Sequence, residues 1–185
     1  MIQKWTLLKE EDVSPSKWMP VLRHTVQLPG NKIVDDYYLT RLGNVAVVLA
    51  ITTNNQAVLI RQYKHGTGEV LLELPGGMQH KHATMEQCAV AELQEETGIQ
   101  VIPEQLLSLG KVAGNAAKTD QVTYGYLVKN VSFNSSRQLD HTEEIELVLV
   151  SPKELISMIA SGEIWVSDTV ALVLKARLLY PDLFE

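Results

Sequence analysis

Three glutamates, Glu92, Glu95 and Glu96, stand close together in a 185-residue chain. On a helix their i, i+3, i+4 spacing brings them to one side. Two carboxylates about 6 Å apart repel by roughly 2 to 3 kcal/mol at an effective dielectric near 20, so the cluster is costly unless a cation lies within it. Carboxylate oxygens suit Mg²⁺ or Mn²⁺, which keep water ligands and complete their shells with substrate phosphates. A solvated acidic helix face is the competing reading. Just upstream runs Glu73-Leu74-Pro75-Gly76-Gly77, followed by a polar loop from Met78 to Ala83. Two glycines after a proline let the backbone turn tightly, approach a ligand and turn a carbonyl toward the acids. His80 and His82, flanking Lys81 in that loop, read as solvated, with metal binding the second reading.

These side chains need a rigid support. Thr84 and Gln87 form a capping box, Ala89, Val90 and Leu93 an apolar stripe, and Gly98 a stop, so a helix is expected from Met85 to Thr97. Cys88 within it reads as a small packed residue. An apolar strand from Val45 to Ile51, the turn Thr52 to Gln56 and a strand from Ala57 to Arg61 make a central hairpin. Further strands are expected over Val122 to Val128 and Glu144 to Val150. Ser151-Pro152-Lys153-Glu154 opens a second helix, and a last one spans Thr169 to Leu179. This irregular alternation predicts an α+β fold with a mixed sheet between helices.

The first 43 residues have a different texture. Val21 to Val26 and Ile33 to Tyr38 flank Leu28-Pro29-Gly30-Asn31 as a β-hairpin. Such a unit buries little by itself, so it is expected to pack on the main domain or on a second copy. Domains are therefore expected over 1–43 and 44–185.

Composition bounds the partners. A chain with 45% hydrophobic residues, a net charge of −6 and one cysteine is expected to be globular and free of disulfides. No apolar run reaches the roughly 18 to 20 residues of a membrane span, and the N-terminal segment lacks a secretory apolar stretch, so a cytoplasmic protein is expected. Acidity disfavours duplex nucleic acid, whose binding rests on Lys and Arg. A small phosphorylated substrate stays compatible, because a divalent cation supplies positive charge.

The run from Gly77 to Ile99 resembles the Nudix hydrolase box, G-x5-E-x7-R-E-U-x-E-E-x-G-U. Gly77, Glu92, Leu93, Glu95, Glu96, Gly98 and Ile99 fall in register, seven of nine fixed positions. Ala83 and Ala91 stand where the box has its first Glu and its Arg. Arg61-Gln62-Tyr63-Lys64 before Glu73-Leu74-Pro75-Gly76-Gly77 resembles the ADP-ribose pyrophosphatase branch. So do Asp36-Tyr37-Tyr38, Glu144-Ile145-Glu146 and Gly162-Glu163-Ile164. The resemblance implies an α/β/α sandwich with a small N-terminal sheet, homodimerisation through that sheet, and Mg²⁺- or Mn²⁺-dependent hydrolysis of a nucleoside diphosphate sugar to two monophosphates. It implies Glu92, Glu96 and the Gly76 carbonyl as metal ligands and Glu95, with a catalytic part, as a shared ligand or one that supports the ligands from behind. Arg61 and Glu73 are implied as substrate contacts, and Glu143 or Glu144 as general base. The two alanines admit a second reading: a weakly active or inactive nucleotide-sugar sensor on the same fold.

Overall fold

The computed structural model describes residues 1–185. They form two compact units, one of residues 1–44 with 115–121, the other of 45–114 with 122–185.

In the first unit, strands β1 (Thr6–Asp12), β2 (Val21–Gln27) and β3 (Ile33–Thr40) form an antiparallel sheet in the order β1-β2-β3. The expected hairpin is β2-β3; β1, exposed at nearly every position, carries no apolar alternation that would mark it. Asn115 to Gln121 joins this unit through Thr40, whose N–H donates to the Lys118 carbonyl at 2.8 Å. Arg41 links both parts, contacting Glu10 at 2.9 Å and Asp120 at 3.4 Å. Leu22 and Val26 are buried. Leu7, Leu8, Trp18, Ile33 and Tyr38 stay exposed.

The second unit is built on a seven-stranded mixed sheet. Its strands are β4 (Val45–Thr52), β5 (Ala57–Lys64), β6 (Glu69–Glu73), β7 (Gly76–Met78), β8 (Leu107–Val112), β9 (Thr123–Val131) and β10 (Ile145–Val150), and its helices α1 (Met85–Thr97), α2 (Pro152–Ser161) and α3 (Ser167–Leu179). The principal order is β10-β5-β4-β9-β8, with β4 and β9 parallel.

Alternate residues of β4 divide the core between two faces, as strand geometry requires. Val47, Leu49 and Ile51 join Leu155, Leu172, Val173 and Ala176 of α2 and α3. Ala46, Val48 and Ala50 join Cys88, Ala89 and Leu93 of α1. Burying each such Leu or Val contributes about 1.5 to 3 kcal/mol, so both helical layers are fixed by β4. The result is an α/β/α sandwich. No helix is long and apolar enough to cross a membrane.

One irregularity shapes the site. β4 and β5 pair at Ala50↔Val58 and Ile51↔Ala57 and then separate. β6 continues along β5, from Ile60↔Glu73 to Lys64↔Glu69, while β7 continues along β4, from Val47↔Gly76 to Val45↔Met78. The β6-β7 segment thus enters as a wedge between them, and Pro75 bridges the gap by accepting from the Val48 N–H at 2.9 Å. Gly76 and Gly77, expected as a tight turn, therefore lie in a short strand. That close pairing also requires glycine: a Cβ on Gly76 would lie 2.2 Å from the Ala46 carbonyl oxygen.

Candidate active site

Helix α1 forms as its sequence predicts. Thr84 Oγ1 accepts from the Gln87 N–H while the Gln87 side chain accepts from the Thr84 N–H, and Gly98 closes the helix in the left-handed conformation at φ 77°. Cys88, Ala89 and Leu93 are fully buried against the sheet. Register with this stripe carries Glu92 and Glu96 inward, so both are buried while Glu95 is half-buried. All three sit toward the C-terminal end of α1, where the helix dipole is negative and disfavours further negative charge.

The β7 wedge meets these acids. The Gly76 N–H donates to Glu96 Oε2 at 2.8 Å. A Cβ on Gly77 would lie 2.4 Å from Glu92 Oε1, so the absent side chain leaves the space that the carboxylate fills. His80 Nε2 lies 3.3 Å from the same Glu92 oxygen. Ligand atoms of His80, Glu92 and Glu95 all fall within 4.8 Å of one another.

Electrostatics follow from this placement. Burial pushes the Glu92 carboxyl up to about 7, with the Glu95 charge adding to the rise and His80 opposing it. Burial likewise pushes Glu96 up to about 8; the Gly76 N–H opposes that rise, and the charges of Glu92 and Glu143 reinforce it. Two buried carboxyls that resist ionisation in each other's company are a site that a cation would relieve. The donor set, carboxylates with a glycine-lined recess, fits a hard divalent ion. Glu92, Glu95 and Glu96 would hold it, with His80 beside them.

The remaining expected residues lie on two neighbouring features. Glu73 pairs with Lys64 at 2.7 Å. Its carboxyl is raised by burial, an effect Lys64 opposes and the Asp168 charge reinforces. Lys64, Glu73, Gly76, Gly77, Asp168 and Thr169 line a cleft of about 230 Å³. Arg61 lines a second cleft of about 410 Å³ with Tyr63, Val70, Glu144 and Glu146. Its Nη1 donates to Glu146 Oε2 at 2.8 Å, across the β5-β10 register Arg61↔Glu146.

Glu143 and Glu144 separate. Glu143 is half-buried and its charge reaches Glu92 and Glu96, whereas Glu144 is exposed and belongs to the Arg61 cleft. A turn holds Glu143: its N–H donates to the Asp140 carbonyl at 2.9 Å, and its Oε2 accepts from the Asp140 N–H at 2.9 Å.

Lys64, Asp168 and His80 were not among the expected site residues. For Lys64 a signal existed, since it directly follows Arg61-Gln62-Tyr63 on a strand. Asp168 arrives from the start of α3, where Thr169 Oγ1 accepts from the Leu74 N–H at 3.1 Å across 95 residues. Only the fold brings that segment to the cleft.

An acidic helix face set against a glycine wedge within an α/β/α sandwich defines a class. The chain belongs to the Nudix family: residues 40–172 match the NUDIX domain. Residues 5–39 match the nucleoside diphosphate sugar hydrolase N-terminal domain, which narrows the class to pyrophosphohydrolases of nucleoside diphosphate sugars. The chain is 25% identical over 169 residues to an ADP-ribose pyrophosphatase of Bacillus subtilis (strain 168), covering 91% of this chain and 89% of that protein. It is 28% identical over 167 residues to a methanol dehydrogenase activator of Bacillus methanolicus, covering 90% and 89%. The crystal structure of an ADP compounds hydrolase superposes with a TM-score of 0.84 at 18% identity, covering 98% of this chain and 97% of that one. The fold is shared.

Proposed function

We propose that this Nudix hydrolase cleaves the diphosphate of an ADP-sugar, ADP-ribose foremost, with Mg²⁺ or Mn²⁺ as cofactor. The observation that carries the reading is the pair Glu92 and Glu96, buried on one helix face against Gly76 and Gly77, with carboxyls raised to about 7 and about 8. Support for the substrate class comes from the N-terminal match and from the names of the relatives.

A divalent ion, when bound there, would supply an acidified water and offset charge on the leaving phosphate. The chain's residues do the rest. Glu92, Glu95 and Glu96 would hold the ion, and the Gly76 N–H fixes the Glu96 carboxylate. Arg61 turns its fork from Glu146 to the diphosphate oxygens, a geometry suited to two parallel hydrogen bonds. Lys64, held by Glu73, keeps a second positive charge at the neighbouring cleft. Glu143 accepts the proton of the attacking water. One P–O bond to the bridging oxygen breaks as the water oxygen bonds to phosphorus, giving two monophosphates.

The exposed apolar residues Leu7, Leu8, Ile33 and Tyr38 of the N-terminal sheet, with Trp18 in the β1-β2 connection, support a homodimer formed through that unit. The single, buried thiol of Cys88 accords with work in the reducing cytoplasm.

A panel of nucleoside diphosphate sugars, assayed with Mg²⁺ and with Mn²⁺, tests the reading. ADP-sugars are expected to be hydrolysed only with metal present. Turnover confined to nucleoside triphosphates, or turnover unaffected by chelator, would contradict it.

A further inference from the structure

The loop from Met78 to Ala83 differs from the sequence expectation in one respect that bears on the cation. His80, expected as a solvated residue, faces the acids. Its backbone N–H donates to Cys88 Sγ at 3.2 Å, and Cys88 is fully buried on α1 one turn before Glu92. The Ala83 N–H closes the loop on the His80 carbonyl at 3.2 Å, and the Gln79 amide donates to the Ala83 carbonyl at 2.9 Å. The backbone that carries the imidazole is therefore pinned to the helix that carries the carboxylates. The ring remains half-exposed, so its second nitrogen can stay hydrated.

We propose that His80 is a nitrogen ligand of the cation held by Glu92 and Glu95, which gives this site a mixed nitrogen and oxygen shell. The proposal rests on the reading of the acids as a cation site. The geometry is that of a common shell: ligands about 2.1 Å from one ion stand roughly 3 to 4 Å apart, and the three ligand atoms here lie within 4.8 Å of one another. The chemistry predicts a consequence for metal choice. Carboxylates and water alone suit Mg²⁺, whereas an imidazole favours transition ions over it. His80 therefore shifts preference toward Mn²⁺.

Two roles for the ring predict opposite signs. As a ligand, His80 strengthens Mn²⁺ binding. As a positively charged partner of Glu92, it competes with the ion and weakens binding.

The experiment is pulsed electron paramagnetic resonance on Mn²⁺ bound to the full chain, with affinities from titration of the same samples. The wild type is expected to show ¹⁴N modulation from a directly bound imidazole. His80→Ala is expected to lose that modulation and about tenfold or more in Mn²⁺ affinity, with a smaller loss for Mg²⁺. His82→Ala, two residues along the same loop, is expected to keep both. Mn²⁺ bound by wild type without ¹⁴N modulation, or bound as tightly or more tightly by His80→Ala, would overturn the ligand role and leave the acid site standing. Failure of wild type to bind Mn²⁺ at all would overturn the acid site itself, and His80 with it.

Discussion

The Glu92 carboxylate occupies the space where a side chain on Gly77 would stand, since a Cβ there comes within 2.4 Å of Glu92 Oε1. The β7 wedge and the acidic helix face are therefore one structure, and the smallest residue is required at their contact. Gly77→Ala is expected to push the carboxylate aside and to lower divalent-metal affinity about tenfold. Stability should change by about 1 kcal/mol or less, because the methyl meets the far end of a side chain. Titration calorimetry with Mn²⁺, alongside thermal melts, checks both halves.

The raised carboxyls make stability depend on pH and metal together. Glu92 at about 7 and Glu96 at about 8 lie above their ordinary value of 4.5, so between these limits the folded chain binds more protons than the unfolded one. Their contribution is fully present below about pH 4.5 and is lost as pH rises through 7 to 8. In chelator the melting temperature is expected to fall between about pH 5.5 and 8.5. Added Mg²⁺ should restore it, more at the alkaline end, since binding displaces protons from these groups. Scanning calorimetry at several pH values, with and without Mg²⁺, measures the difference.

Much of this site was legible from residues alone. The capping box, apolar stripe and closing glycine of α1 are local signals, so the helix and its acid face follow directly from sequence. Strands β4, β5, β9 and β10 carry apolar runs and were equally plain. What escaped depends on pairing between distant segments. β7 is a strand of three residues, two of them glycine, and exists because β4 and β5 separate. Asn115 to Gln121 joins the N-terminal unit through hydrogen bonds to β3 rather than through any property of its own. α3 begins at Ser167 with no side-chain cap, two residues before the expected start at Thr169. His80 looked solvated because its proximity to Glu92 depends on how the loop closes over Cys88.

Arg61 is a test of substrate contact. Its pair with Glu146 is exposed enough that giving it up for a diphosphate costs about 1 kcal/mol or less. Arg61→Ala is expected to raise KM about tenfold or more with a smaller change in kcat, the pattern of lost uniform binding. Arg61→Lys should recover only part of the loss, because an ammonium cannot make two parallel bonds. Steady-state kinetics on an ADP-sugar separates these outcomes.

Glu143 and Glu144, adjacent in sequence, are expected to behave differently. Glu143 reaches the buried acids, and Glu143→Gln should lower kcat by about 10² to 10⁴. Glu144 lines the Arg61 cleft, and Glu144→Gln should act mainly on KM. Steady-state kinetics of the two variants on one ADP-sugar, read as kcat against KM, decides between the roles.

On the proposed function, the Glu92 and Glu96 face of α1 serves hydrolysis of a diphosphate through a bound cation. The direct measurement is product analysis of ADP-ribose incubated with Mg²⁺ and either wild type or Glu96→Gln, whose amide oxygen still accepts from the Gly76 N–H. Wild type is expected to release AMP and ribose 5-phosphate in equal amounts, with turnover at least about 100-fold slower in the folded variant. Unchanged turnover in Glu96→Gln, or no release of the two monophosphates by wild type, would contradict the account.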